Sequence, residues 1–257
     1  LAGCAVVAAG GDGGRVRLGG WARGSARVQL PGHGKGIRPV AYAPGGQWRV
    51  SAGLDEQATV WNLEKRKLAY TLPVVFRNYP GGTAVLLGPP GKFSPDGTRL
   101  FVGCADGDQG GEIRVWSVPE FTPLPSLKTS SSAVVFLEMP ASGNKLFAGT
   151  IDGHIDVWDT AAGKLLREFT IPVSNLTSLA VDDSGTRVAA SSSIGLIHVF
   201  DEFGAAQLSL QGFAAGVYSL AFDPNGKGQI LAAGYEDGHV KIWDLSKQQV
   251  QRTSSAV

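Results

Sequence analysis

Gly149–Asp159 reads GTIDGHIDVWD, a small-residue strand end, an Asp-Gly reversal and then a strand in which Ile155 and Val157 alternate with Asp156 and Trp158. Gly accepts positive φ without steric cost and Asp tolerates it, so Asp152-Gly153 predicts a tight turn; period-two alternation predicts a strand. The phrase encodes half of a β-hairpin. It returns as GYEDGHVKIWD at Gly234–Asp244, as SAGLDEQATVWN at Ser51–Asn62 and, more loosely, as IGLIHVFD at Ile194–Asp201. Measured on the aromatic, the intervals Trp61–Trp116, Trp116–Trp158, Trp158–Phe200 and Phe200–Trp243 are 55, 42, 42 and 43 residues. Three of these four fall in the roughly 40–45-residue period of a four-stranded propeller blade.

A repeat running end to end through 257 residues argues for one body without a linker. With 43% hydrophobic and 18% charged residues the chain can bury a core, and 36 Gly with 14 Pro suit an all-β fold with frequent turns. A net charge of +1 and an even scatter of Lys and Arg offer no basic stripe for a phosphate backbone, so nucleic acid is not an expected partner. No apolar run approaches the ~20 residues of a membrane span. Cys4 and Cys104 fall two blades apart, which argues against a disulfide and for small buried hydrophobes.

The first segment, 1–30, matches the second to fourth strands of a repeat and lacks the first. The following blades are expected at 31–72, 73–128, 129–170, 171–211 and 212–257. LAGC at Leu1–Cys4 resembles a lipid-attachment box with Cys4 acylated, but the repeat register places these residues at the start of a strand, which is the preferred reading.

In the second repeat Gly32-His33 precedes Trp61 by 28 residues, counted from the histidine, and a turn Asp, Asp55, stands six before the tryptophan. On these residues the chain resembles the WD-repeat β-propeller family. The resemblance implies a hydrogen-bonded tetrad of His33, Ser51, Asp55 and Trp61, in which a buried imidazole and indole each find a partner. A hydrolase triad of Ser51, His33 and Asp55 is the competing reading; no strained nucleophile turn surrounds Ser51, so the structural role is expected. Other repeats depart from the pattern, with Ala148 and Ala233 in place of the serine and Ile194 in place of the turn Asp. Those blades must lean on apolar packing. His154, His198 and His239 lie in separate turns or strands and are not expected to converge on a metal.

The third repeat is the long one. Leu72 to Pro95 is 23 residues where Leu210 to Pro224 is 14, and the remaining surplus lies in ADGDQGGE, Ala105–Glu112. Propeller wiring sends both additions to one rim. The first carries Phe76, Arg77, Asn78 and Tyr79, residue types favoured as interface anchors, and the second Asp106, Asp108, Gln109 and Glu112. The glycine-spaced acids invite a calcium cage, but they match a twelve-residue calcium loop poorly and read better as a solvated hairpin tip. No cofactor and no metal is expected.

The fold expected is therefore all-β, a propeller of four-stranded antiparallel blades with five complete and one partial, either incompletely closed or a fragment of a seven-bladed ring. Only Thr253–Val257 would follow the last outer strand, expected at Gln248–Arg252. The inner strands offer almost no Asp, Glu, His or Asn for a channel active site, so the expected function is a non-catalytic scaffold binding a protein or peptide through rim and funnel. The alternatives are a sensor or localisation module attached to a catalytic domain elsewhere, and a propeller enzyme. A cytoplasmic location is favoured.

Overall fold

The computed structural model describes all residues except 1–5, 10–15, 21–27, 31–32, 34–36, 54, 75–89, 106–109, 130–131, 173–175, 212–214, 226 and 256–257, with backbone alone for 6–9, 16–20, 28–30 and 37–40. Cys4, Phe76, Arg77, Asn78, Tyr79, Asp106, Asp108 and Gln109 thus lie outside the described residues. Among those described there is no helix, and the strands form six antiparallel meanders.

Sheet one has three strands, β1 (Val6–Ala9), β2 (Val16–Gly20) and β3 (Val28–Leu30). Sheet two comprises β4 (Ile37–Tyr42), β5 (Trp48–Gly53), β6 (Gln57–Asn62) and β7 (Lys67–Pro73). Sheet three comprises β8 (Gly91–Phe93), β9 (Arg99–Ala105), β10 (Gly111–Ser117) and β11 (Pro123–Lys128). Sheet four holds β12 (Val134–Glu138), β13 (Lys145–Thr150), β14 (His154–Asp159) and β15 (Lys164–Thr170). Sheet five holds β16 (Leu176–Val181), β17 (Arg187–Ser192), β18 (Leu196–Asp201) and β19 (Ala206–Gln211). Sheet six holds β20 (Val217–Phe222), β21 (Ile230–Tyr235), β22 (His239–Asp244) and β23 (Gln249–Ser255). Five sheets of four strands and one of three is the blade count expected from the repeat. The last strand runs further than expected, because Ser255 pairs with His239 and extends the ladder past Arg252.

The turns follow from residue chemistry. Gly153 adopts φ 87°, donating to Thr150 O at 3.1 Å, while Thr150 Oγ1 donates to Asp152 Oδ1 at 2.6 Å. A local side-chain bond of this kind fixes a reversal that the backbone alone would leave loose. In all five complete sheets the third and fourth strands slip register by a bulge within a residue of the third-strand aromatic, as between Val60 and Trp61 or Val157 and Trp158. One added residue on the outer strand increases local twist and lets a broad ring stand in the sheet.

The second strands of sheets two to five are near-continuous buried runs, as a strand covered on both faces requires. The chain divides into two compact units, 1–135 and 136–257. In the first, Val50, Ala52, Ala58, Val60 and Leu72 of sheet two pack on Leu100, Val102, Cys104 and Trp116 of sheet three. In the second, Phe147, Ile155 and Val157 of sheet four meet Leu176, Leu179, Val188, Ala190 and Phe200 of sheet five. The opposite face of sheet five, with Ala189, Ile197 and Val199, meets Leu220, Leu231, Ala233 and Trp243 of sheet six.

Within each unit a turn of one sheet also grips the outer strand of the sheet before it. Phe121, at φ 53°, stacks on Tyr70 with centroids 4.7 Å apart. Phe203 lies under Arg167, whose guanidinium carbon is 4.0 Å from the ring centroid, and Glu202 beside it pairs with Lys145.

Candidate functional site

The polar groups singled out by spacing meet in sheet two. Ser51 sits on β5, Trp61 on β6 and Asp55 in the turn between them. His33 Nδ1 is 2.8 Å from Asp55 Oδ1, His33 Nε2 is 3.0 Å from Ser51 Oγ, and Trp61 Nε1 donates to Ser51 Oγ at 3.1 Å. A carboxylate on Nδ1 favours the tautomer with the proton there, so Ser51 donates to Nε2 and accepts from the indole. Every donor in the chain then has an acceptor. Gly53 is what lets the imidazole lie so close, since a Cβ built on it would stand 2.4 Å from His33 Nδ1 and 2.6 Å from Asp55 Oδ1.

The order Ser, His, Asp is also that of a hydrolase triad. Two features bear on that likeness. Ser51 is 0% exposed, and its oxygen also accepts from the Trp61 indole at 3.1 Å. A nucleophile must have open space about 3 Å away for the reacting atom.

The equivalent positions elsewhere carry different chemistry. In sheet four Ala148 stands opposite Asp156 and Leu146 opposite Trp158. The Trp158 indole nitrogen and both Asp156 carboxylate oxygens are buried without a hydrogen-bond partner among the described residues. Burial pushes the Asp156 carboxyl up to about 6, with Glu168 and Asp152 adding to the rise and His154 opposing it. In sheet six Lys241 takes the same place, its ammonium 5.6 Å from the Tyr235 ring centroid and 5.8 Å from that of Trp243. Among the described residues no group of three or more His, Cys, Asp and Glu is placed to hold a metal ion.

Of the third-repeat additions the structure describes the stems. Arg114 on β10 joins them, donating from Nη1 to Pro73 O at 2.9 Å, where the first addition begins, and from Nε to Glu112 Oε2 at 3.2 Å, where the second ends. The far stem of the first addition is held too, Gly103 N donating to Pro90 O at 2.9 Å. Burial alone would raise the Glu112 carboxyl, but Ser126, Arg114 and Lys128 outweigh it and hold the group below its ordinary value. Arg114 was not among the residues expected to matter. Its signal in the sequence is register, since it occupies the place two residues before the aromatic that Thr59, Asp156, His198 and Lys241 fill in the other repeats.

The family described as "WD domain, G-beta repeat" matches residues 24–62 and 204–244. The first match ends on the strand that carries Trp61, and the second ends on β22. Periodic tryptophan protein 2 from Arabidopsis thaliana is 29% identical over 160 residues, 60% of this chain and 17% of that protein. Protein groucho from Drosophila melanogaster is 26% identical over 158 residues, 61% of this chain and 21% of that protein. THO complex subunit 3 from Arabidopsis thaliana is 25% identical over 228 residues, 88% of this chain and 68% of that protein. The matched stretch is thus about a fifth of the length of the first two relatives.

Proposed function

The chain belongs to the WD-repeat family, and on that premise we propose that it is a non-catalytic scaffold that holds a protein or peptide partner on the rim bearing the third-repeat loops. The observation that carries this reading is Arg114, which ties the root of one enlarged loop to the root of the other through Pro73 O and Glu112. Loops rooted side by side favour a shared surface, and the Arg and two aromatics of Phe76, Arg77 and Tyr79 are residue types that dominate interface energies. The buried Ser51, engaged by His33 and Trp61, supports a structural rather than a catalytic role for the tetrad. A relative matched over 88% of this chain is, by its name, a subunit of a complex.

The test is affinity capture with the wild-type chain and with Phe76→Ala/Arg77→Ala/Tyr79→Ala, alongside thermal melts of both. Loss of a partner from the triple variant at unchanged Tm is the expected result. Retention of every partner by a correctly folded variant would remove the loops from the reading.

A further inference from the structure

Arg49 is fully buried, yet none of its three guanidinium nitrogens has a hydrogen-bond partner among the described residues. Its place in the repeat makes this sharper. Arg49 stands opposite Trp61, and the residues opposite the corresponding aromatic in sheets three to six are Leu100, Leu146, Val188 and Leu231. Four repeats therefore fill the position with an aliphatic side chain, and one fills it with a cation. Burial lowers the Arg49 pKa to about 10, with Tyr42 opposing the shift, so the group remains charged at neutral pH. A buried charge without a counter-ion costs several kcal/mol, which an incoming oxyanion would recover.

Tyr42 is the cross-strand neighbour of Arg49. Its ring centroid is 5.2 Å from the guanidinium carbon, and Tyr42 is 37% exposed. The surrounding sequence is also one-sided: residues 1–50 contain seven Lys or Arg and a single acid, Asp12, which leaves 51–257 net negative. The even scatter read across the whole chain conceals this segregation, and a field of one sign steers ligands of the other.

We propose that Arg49 anchors a binding site for a carboxylate side chain of an acidic peptide, with Tyr42 beside it. The guanidinium fork matches a planar carboxylate through two parallel N–H···O bonds. The site rests on the scaffold reading in that its ligand is a peptide. It lies at the opposite end of sheet two from the root of the first enlarged loop, since Arg49 is near the 43–47 turn and Pro73 is paired with Gln57 beside the other turn.

The test is fluorescence anisotropy of the full chain with a labelled ten-residue Glu-rich peptide, its Gln counterpart, a single-stranded oligonucleotide and phosphatidylserine vesicles. The Glu peptide is expected to bind in a salt-sensitive way, and the Gln peptide not to bind. Arg49→Leu, the residue that three other repeats use, is expected to weaken the Glu peptide at least tenfold while Tm stays level or rises. Equal affinity in Arg49→Leu would overturn the site. So would a fall in Tm or failure to fold, because either means that the guanidinium is neutralised within the chain. Binding of the oligonucleotide or vesicles with the peptide silent would also overturn it. A silent Glu peptide together with partner loss in the Phe76/Arg77/Tyr79 variant would sink this site and leave the scaffold reading standing.

Discussion

Trp61 donates its indole N–H to Ser51 Oγ across 3.1 Å, and both residues are almost wholly shut off from solvent. Removing the acceptor strands a buried donor and also the Nε2 of His33. Ser51→Ala is expected to lower stability by about 1–3 kcal/mol, the usual cost of an orphaned buried polar group. Urea unfolding checks this: the midpoint should fall while the slope stays put. An unchanged midpoint would show that the hydroxyl is not holding the chain together.

Gly53 is the last residue of β5 and Gly234 the last but one of β21, and the two have different neighbours. A methyl on Gly53 would meet His33 Nδ1 at 2.4 Å, whereas one on Gly234 would find Ser219 Cβ at 3.6 Å, ordinary contact. Gly53→Ala should therefore cost about 2 kcal/mol or more through overpacking and loss of the His33 bonds. Gly234→Ala should lie near wild type. Thermal melts of the pair, run side by side, distinguish the effect of His33 from a general intolerance of the strand to Ala.

Asp156 supplies a pH dependence with a definite sign. Its folded value, about 6, lies above the ordinary Asp value near 4, so the folded chain binds the proton more tightly than the unfolded chain. Below that lower value the group costs nothing; the penalty grows as pH rises from about 4 to about 6 and is complete above. Asp156→Asn should stabilise the chain by about 1–2 kcal/mol more at pH 7.5 than at pH 4. Chemical denaturation at the two pH values measures the difference, and equal effects at both would mean that the carboxylate is neutralised in the folded chain.

Ala148 can be converted to the residue that sheet two uses. A Ser there would face Asp156 across the strand pair, able to donate to the carboxylate and to accept from the Trp158 indole, whose nitrogen has no partner among the described residues. Ala148→Ser is expected to raise stability by about 1 kcal/mol. Combining it with Trp158→Phe should reduce the gain to what the Asp156 bond supplies, which a double-mutant cycle would read directly.

Much of this architecture is legible in the residues. The aromatics at 61, 116, 158, 200 and 243 locate β6, β10, β14, β18 and β22, because a turn Gly or Asp precedes nearly every one and alternation follows. His33, Ser51, Asp55 and Trp61 can be picked out by spacing, and their polar atoms stand within 3.1 Å of a neighbour in the chain. The bulges are not legible, since an inserted outer-strand residue leaves no mark on a period-two pattern that is already exposed. Arg49 escapes a reading of its own neighbourhood, where GQWRV passes for a solvated strand start. It becomes visible only when the repeats are laid in register and Leu100, Leu146, Val188 and Leu231 fall beneath it. Asp156 and Arg114 escape for the same reason, each looking like the outward member of an alternating strand although both strand faces are covered.

The measurement that bears most directly on a structural, non-catalytic tetrad is intact-mass analysis of the native chain after exposure to a fluorophosphonate, which labels activated serines. With Ser51 buried between the His33 imidazole and the Trp61 indole, the expected result is no added mass at Ser51. Stoichiometric labelling of the folded protein that disappears in Ser51→Ala would contradict it and return the Ser51–His33–Asp55 set to catalysis.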